Sequence, residues 1–142
     1  MIVIDANLLI YSYNSGAARH VKAREWLEET LSGEEVVGLP WQSIAAFVRI
    51  MTDPRLPGQR FTAPEAVEVV AGWLNQATVR VLTPGEVHWA VFRRMVVEGQ
   101  ASGPLVTDAQ IAALTVEYGG VLHTTDRDFA RFPGLRWVNP LS

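Results

Sequence analysis

The chain has no cysteine and only one lysine, Lys22, among its 142 residues. The lack of cysteine excludes disulfides and thiolate metal sites, which is compatible with a reducing cytoplasm, where we expect the protein to reside. There is no apolar run near bilayer-spanning length and no cationic leader before a hydrophobic stretch, so membrane anchoring and secretion have no support. An apolar fraction of 49% is enough for one packed core, and we expect a single domain over residues 1–142.

The charge balance neither supports nor excludes a nucleic-acid substrate. The net charge of −3 argues against a generally basic nucleic-acid binder, yet eleven of the twelve basic residues are Arg. Arg binds phosphate through two parallel hydrogen bonds, but coding bias and solvated surface also explain an excess of Arg. Arg content alone therefore locates no binding patch.

Short apolar runs alternate with longer segments of helical period, which predicts an α/β fold with a mainly parallel sheet. The predicted strands are Met1–Ile4, Val36–Leu39, Val79–Leu82, Val121–Thr124 and Leu135–Val138. Two helices are predicted over Ala18–Leu31 and from Trp41 to the Asp53-Pro54 break. Two more are predicted to begin at the Thr-x-x-Glu capping boxes of Thr62 and Thr83. A fifth is predicted from Thr107 or Asp108 to the Gly119-Gly120 pair.

Four of the five aspartates follow or precede strands in a way that predicts a shared site. Asp5 follows the first strand, Asp126 and Asp128 follow the fourth, and Asp108 opens the helix that leads into the fourth. If strands one and four are neighbours, these acids meet outside the carboxyl ends of parallel strands, where ligands bind in open α/β sheets. Converging carboxylates repel one another unless a divalent cation neutralises them, and oxygen-only ligands favour Mg²⁺ or Mn²⁺. This chemistry suits metal-assisted phosphodiester hydrolysis.

Each aspartate also has an ordinary structural explanation. Asp5 could close an Asx turn after its strand, and Asp108 could be a helix N-cap. Asp126 and Asp128 could shape the turn "TTDRDF". Taken together, these separate explanations are less economical than one acidic site.

Four segments, in this order and spacing, resemble the PIN-domain ribonucleases, and specifically the toxin half of VapBC-type toxin-antitoxin pairs. They are "VIDANLLIYSY", "LPWQSIAAFVRIMTDPR", "LVTDAQIAALTVEYGG" and "LHTTDRDFARFPGLRWVNPL". The resemblance covers nearly the whole chain. It implies a three-layer α/β/α PIN-like domain with a mainly parallel central sheet, and a Mg²⁺-dependent endoribonuclease that cuts RNA with metal-activated water.

The resemblance also implies roles for particular residues and partners. Asp5, Asp108 and Asp126 match family metal ligands, and Asp128 matches a more variable supporting acid. Asn7 and Thr124 match polar residues that brace the site. The implied partners are a VapB-type antitoxin, an RNA substrate and a second copy of the chain in a homodimer.

One position departs from the family pattern. The family usually has another acid in the helix after the second strand, and Ala46 holds that place here, with no acid between Glu35 and Asp53. Gln42, one turn earlier, could offer a neutral oxygen or hold a metal-bound water. Because a carboxylate is missing, we expect one well-occupied metal rather than two.

Several other side chains bear on the same site. Arg127 and Arg131 flank the acidic turn and are candidates for binding RNA phosphates, although solvated surface Arg is the simpler explanation for either one. Arg49, Arg55 and Arg60, in or after the second predicted helix, are weaker candidates. The three histidines show no metal-ligand spacing, and Ser43 and Ser102 have no nucleophile motif around them.

Two alternatives to a ribonuclease stay open. Ala46 favours a degenerate PIN-like module that binds RNA or a protein partner without cleavage. A phosphatase or DNA nuclease could use the same acids, although Asn7 stands where an aspartyl-phosphate phosphatase needs a second Asp.

Overall fold

A five-stranded, wholly parallel sheet forms the middle layer of the protein, and the computed structural model describes all of residues 1–142. The strands are β1 (Ile2–Ile4), β2 (Val37–Pro40), β3 (Val79–Leu82), β4 (Val121–His123) and β5 (Trp137–Val138). Their order is β3-β2-β1-β4-β5, so β1 is central and pairs with β4, which meets the condition on which the predicted acidic site depends. The carboxyl ends of β1 and β4 therefore lie side by side at one edge of the sheet.

Six helices cover the two faces of the sheet. They are α1 (Ala6–Tyr13), α2 (His20–Ser32), α3 (Trp41–Met51), α4 (Ala63–Leu74), α5 (His88–Glu98) and α6 (Leu105–Glu117), with a 3₁₀ helix at Arg127–Arg131. No helix combines the length and the apolar character needed to cross a membrane.

Two apolar cores, one on each face, hold the three layers together. Helices α1 to α4 pack on one face around Phe47, Trp73 and Leu8, which are at most 3% exposed. Helices α5 and α6 pack on the other face around Met95, and the 3₁₀ helix joins this second core through Phe129. Side chains of β1 alternate between the cores, with Ile4 in the first and Val3 in the second, as the two-residue period of a strand requires. The predicted α/β/α architecture is confirmed.

Helix α1 was not predicted from the sequence. It is only eight residues long, and its continuous run Leu8, Leu9 and Ile10 is buried, so it lacks the polar face that marks an amphipathic helix. The available signal was Asp5, whose side chain accepts a hydrogen bond from the Ala6 backbone N–H and caps the helix.

The two predicted capping boxes have different outcomes. At Thr62, both reciprocal hydrogen bonds with Glu65 are present and α4 begins there, so this prediction is confirmed. The prediction at Thr83 is wrong, because α5 begins at His88 with no side-chain cap. The backbone N–H and C=O of Thr83 instead pair with the hydroxyl of Tyr118, and this tertiary contact competes with a local cap.

Helix α6 begins earlier than predicted and ends as predicted. Its first residue is Leu105, which places Asp108 inside the first turn instead of at the cap. At the other end, Gly119 adopts φ +67° and Gly120 donates its N–H to the Thr115 carbonyl at 3.0 Å. These features form a Schellman cap at the predicted Gly-Gly pair.

Candidate active site

Asp5 lies at the junction of β1, β4 and α1. Its backbone N–H donates to the carbonyl of His123 at the end of β4, with N and O 3.1 Å apart. Its side chain is turned inward and the residue is only 8% exposed, with Oδ1 accepting the Ala6 N–H at 2.8 Å. Burial raises the pKa of Asp5, against the opposing effect of its hydrogen bonds to Thr124 and Ala6. The chain therefore maintains a carboxylate at a site that disfavours its charge.

Thr124 joins Asp5 to Asp126. This fully buried hydroxyl donates to Asp5 Oδ2 at 2.8 Å and accepts the backbone N–H of Asp126 at 3.0 Å. Asp126 in turn caps the 3₁₀ helix, because its Oδ1 accepts the N–H of Asp128 at 2.9 Å. A single hydroxyl thus fixes the two acid-bearing strand ends relative to each other.

Asp108 faces the same edge from α6. Its pKa is raised to about 6, first by partial burial and then by the negative charges of Asp5, Asp126 and Asp128, while Arg131 opposes the shift. None of these influences is a hydrogen bond, so its carboxyl is not held by a donor from the chain. Asp108 therefore lies within electrostatic range of the other three acids.

Two neutral oxygens complete this edge of the sheet. Asn7, in the first turn of α1, donates from Nδ2 to Thr125 Oγ1 at 3.0 Å, while its Oδ1 is buried without a partner. Gln42, in the first turn of α3 after β2, likewise has a buried Oε1 without a partner. These are the only two buried side-chain oxygen or nitrogen atoms of the chain with no hydrogen bond, and such atoms are costly unless a ligand or water satisfies them.

The oxygen atoms at this edge suit a hard divalent cation in their chemistry, but not in their present spacing. Carboxylate and amide oxygens with no sulfur or imidazole are the ligands that Mg²⁺ and Mn²⁺ prefer. No three Asp, Glu or His side chains are spaced to ligate one ion in this structure. Asp5 is fixed by two hydrogen bonds, whereas the carboxyl of Asp108 has none, so Asp108 has the greater freedom to rotate toward an ion.

Ala46 lies one helical turn after Gln42 on α3 and brings no ligand to the site. Residues four apart share a face of a helix, so an acid at position 46 would lie beside Gln42. The β2 end of the site therefore contributes only the neutral Gln42 oxygen.

The two Arg residues predicted together for RNA differ in their surroundings. Arg127 is exposed and takes no part in the hydrogen bonds of its turn. Arg131 is also exposed, but its Nη1 donates to the carbonyl oxygens of Gly99 at 3.0 Å and Gln100 at 3.3 Å. Of the weaker candidates, Arg55 is paired with Asp53 at 2.9 Å.

Ser43 is a structural residue that sequence reasoning did not assign. Its buried Oγ donates to the Ile4 carbonyl at 2.9 Å and fastens the start of α3 next to Asp5. A small hydroxyl residue one position after Gln42 was the only available signal. His123 is stacked on Trp26, with ring centroids 5.8 Å apart, and burial lowers its pKa, in keeping with a structural role.

Replacing Thr124 with Val is expected to weaken both the fold and the site. Valine keeps the shape but loses the bond to Asp5 and leaves the Asp126 N–H unpaired, which costs about 1–3 kcal/mol in the free energy of unfolding. The RNA cleavage that the resemblance implies should fall about 10–100-fold, as for residues that orient metal ligands. Urea denaturation and a cleavage assay measure the two effects. Thr124→Ser keeps the hydroxyl and should stay near wild type, so equal behaviour of the two variants would contradict the bridging role.

The fold and the acidic edge define a PIN domain. The family model described as "PIN domain" matches residues 2–135, and the chain belongs to this family. Within it, the chain is 35% identical over 141 residues to Ribonuclease VapC33 of Mycobacterium tuberculosis, covering 99% of both proteins. It is also 35% identical over 140 residues to Ribonuclease VapC37 of the same organism, covering 99% of this chain and 97% of that protein. The chain is therefore a member of the VapC ribonucleases, as the resemblance predicted.

Solved structures support the same fold. VapC20 of Mycobacterium tuberculosis, described as a Sarcin-Ricin loop cleaving toxin, has a TM-score of 0.67 and 23% identity, covering 96% of this chain and 99% of that chain. VapBC2 of Rickettsia felis, bound to a DNA fragment from its promoter, has a TM-score of 0.69 and 14% identity, covering 98% of both chains. At these identities the likeness establishes the architecture alone.

Proposed function

We propose that this chain is the endoribonuclease toxin of a type II toxin-antitoxin system and that it hydrolyses RNA phosphodiester bonds with Mg²⁺ or Mn²⁺. The observation that carries the proposal is the Thr124 bridge between Asp5 and Asp126, beside an Asp108 whose pKa is raised to about 6. It occurs in a chain 35% identical to curated VapC ribonucleases. Two neighbouring acids with raised pKa values, Asp5 and Asp108, cost the fold free energy, and such acids are typical of functional sites.

In this mechanism Asp5, Asp108 and Asp126 would hold the cation. When bound, the ion would supply water activation, orientation of the phosphate and neutralisation of developing charge. The hydrogen bond from the Thr124 hydroxyl holds the Asp5 carboxylate in its orientation. The hydrogen bond from the Asp128 N–H to Oδ1 does the same for the Asp126 carboxylate. The Asp128 carboxylate adds negative charge near Asp108 and assists directly or through water. Asn7 and Gln42 offer their unpaired oxygens as neutral supports.

Incubation of the purified chain with structured RNA tests the proposal. Cleavage is expected with Mg²⁺ or Mn²⁺ and should stop in excess EDTA. Restoring the cation after chelation should restore cleavage, which separates a resident metal site from irreversible damage. Cleavage that is equal in all these conditions would reject the proposed mechanism.

Reversing the charge of Arg127 is expected to weaken RNA binding through phosphate contacts. Arg127→Glu should reduce the slope of the logarithm of the binding constant against the logarithm of salt concentration by about one unit. Arg80→Glu is a suitable control, because Arg80 lies on β3 at the far edge of the sheet from β4. An unchanged slope for Arg127→Glu would leave this residue as ordinary solvated surface.

The proposed partner is a VapB-type antitoxin. Solved relatives of the same fold include a DNA-bound VapBC of Salmonella typhimurium and VapBC-1 of nontypeable Haemophilus influenzae. We further propose that the chain forms a homodimer. A neighbouring short reading frame encoding a DNA-binding protein should yield a product that co-purifies with this chain and blocks cleavage. A neighbour that leaves cleavage unchanged would count against the pairing.

A second candidate function is RNA or protein binding without cleavage, and Ala46 is the observation that favours it. With one carboxylate fewer at the site, the cation could bind too weakly to support catalysis. This candidate predicts RNA binding that is indifferent to EDTA and no cleavage product under any metal condition.

A further inference from the structure

Arg131 closes the end of α5 by a contact from a distant part of the chain. Its Nη1 donates to the carbonyls of Gly99 and Gln100, the two residues that follow α5. Carbonyls at the end of a helix lack partners within the helix and carry partial negative charge, so a guanidinium donor is favoured there. Arg131 therefore has a defined place in the fold despite its exposure.

Phe132, the next residue, makes a second contact with the same loop. A Cβ added to Gly99 would collide with the Met95 carbonyl oxygen and would lie 2.7 Å from Cδ1 of Phe132. Gln100, the next residue in the loop, has φ +51°, a left-handed conformation that a non-glycine residue adopts only when its surroundings hold it there. The N–H groups of Gln100 and Ala101 bond back to the carbonyls of Val97 at 3.3 Å and Val96 at 2.9 Å, so the turn is a Schellman cap of α5. Arg131 and Phe132 pack against this cap from outside.

These contacts join the two segments that carry the acids. The loop from Gly99 leads directly into α6, whose first turn contains Asp108. Arg131 ends the 3₁₀ helix that Asp126 caps. Phe132 is buried in the same apolar cluster as Ala109, the neighbour of Asp108. The separation between Asp108 and Asp126 therefore depends on how the loop docks on the 3₁₀ helix.

We propose that Arg131 is a positioning residue: its hydrogen bonds to the Gly99 and Gln100 carbonyls fix the start of α6 against the 3₁₀ helix and thereby set the distance from Asp108 to Asp126. This role differs from the RNA contact for which the sequence made Arg131 a candidate, and it rests on the proposed metal-dependent function. Arg131 touches neither substrate nor cation in this role. Its positive charge, which opposes the rise in the pKa of Asp108, is consistent with its place beside the acids.

The test compares Arg131→Gln with a matched control, Arg136→Gln. Arg136 is also exposed, and its Nη2 donates to the Gly119 carbonyl at 3.0 Å, just beyond the opposite end of α6 from Asp108. Both variants lose an Arg bond to a carbonyl beyond a helix end, so effects on general stability should be similar. Only Arg131→Gln should change the distance between Asp108 and Asp126. Arg131→Lys keeps a donor and should recover part of the effect.

Three measurements separate the outcomes. Calorimetric titration without RNA should show Mn²⁺ affinity about 10–100-fold weaker for Arg131→Gln and unchanged for Arg136→Gln. In cleavage assays Arg131→Gln should lower kcat and leave KM for RNA within about twofold. Backbone hydrogen exchange of Gln100 and Ala101, whose N–H groups bond to Val97 and Val96, should be about five to ten times faster in Arg131→Gln without metal.

Different results reject different claims. An unchanged Mn²⁺ affinity with a raised KM and a smaller salt slope would mean that Arg131 contacts RNA, which overturns the positioning role. Unaltered exchange in the loop would also overturn it. Absence of Mn²⁺ binding in the wild type would reject the proposed function. The hydrogen-exchange comparison of Arg131→Gln with the wild type would then test by itself whether Arg131 positions α6.

Discussion

Replacing Asp5 with Asn is expected to lower kcat for RNA cleavage by about 100–1,000-fold, comparable to the loss of a directly acting electrostatic group. Asp5 is central because it bonds to Thr124, caps α1 and lies beside both β1 and β4. Asparagine is nearly the same size but carries no charge, so a cation bound as proposed would lose its most rigidly held ligand. The fold should survive, because Asn is also a good N-cap and the cost of burying a charge is removed.

Asp53→Asn is the matched control that shows whether the loss of cleavage is specific to Asp5. Asp53 lies just beyond α3 and pairs with Arg55, away from the acidic edge. This control should retain nearly full cleavage and unchanged Mn²⁺ affinity. Thermal unfolding of all three proteins checks that they are folded. If Asp5→Asn kept activity within about tenfold of wild type, Asp5 would not be a metal ligand.

Replacing Asp108 with Asn is expected to stabilise the metal-free protein at pH 7.5 while abolishing cleavage. The pKa of Asp108 is about 6 in the folded chain, against an ordinary value of 3.8. The folded state therefore holds this proton more tightly than the unfolded state, and the free energy of unfolding falls as pH rises from about 4 through 6. Above that range the folded chain retains the repulsion among its acids. Asparagine removes this repulsion.

Thermal unfolding in EDTA at pH 5 and pH 7.5 measures this effect. The wild type should lose more Tm between the two pH values than Asp108→Asn does, and the variant should melt at least about 3 °C higher at pH 7.5. Some pH dependence should persist because the pKa of Asp5 is also raised. Mn²⁺ should raise the Tm of the wild type and have little effect on the variant. Identical pH dependence in the two proteins would contradict the assigned proximity of the acids.

The sequence predicted most of the fold because buried segments are visible as local patterns of apolar residues. The five strands are short apolar runs bounded by breakers, and each was predicted within a few residues. Helix α1 was missed because it is buried nearly all round and has no helical period to detect. The Thr83 capping box failed because Tyr118, 35 residues later, bonds to its backbone. Local patterns therefore predict elements well until a tertiary contact competes for the same groups.

The sequence was less informative about the site's internal contacts. Asp5 and Asp126 could be placed together because parallel strands align their carboxyl ends. The Thr124 bridge depends on the direction of one side chain, and the placement of Asp108 depends on where α6 begins. Arg127 and Arg131 look equivalent in sequence, yet only Arg131 bonds to the α5–α6 loop. Such differences come from packing, which a local pattern does not contain.

Ala46 leads to a specific expectation for the number of metal ions that the site binds. The proposed site has the three carboxylates of Asp5, Asp108 and Asp126, which are not spaced around one ion in this structure. From the β2 side Gln42 adds only a neutral oxygen. Oxygen ligands with fewer negative charges bind divalent cations more weakly. One well-occupied cation per chain is therefore expected, with any second ion much weaker.

Calorimetric titration of Mn²⁺ into the metal-free wild type and Asp5→Asn proteins tests the central claim most directly. The acidic site proposed around Asp5 predicts one tight site per chain in the wild type and loss of that site in Asp5→Asn, with Asp53→Asn unchanged. Two tight sites per chain, or one tight site that survives Asp5→Asn, would contradict it.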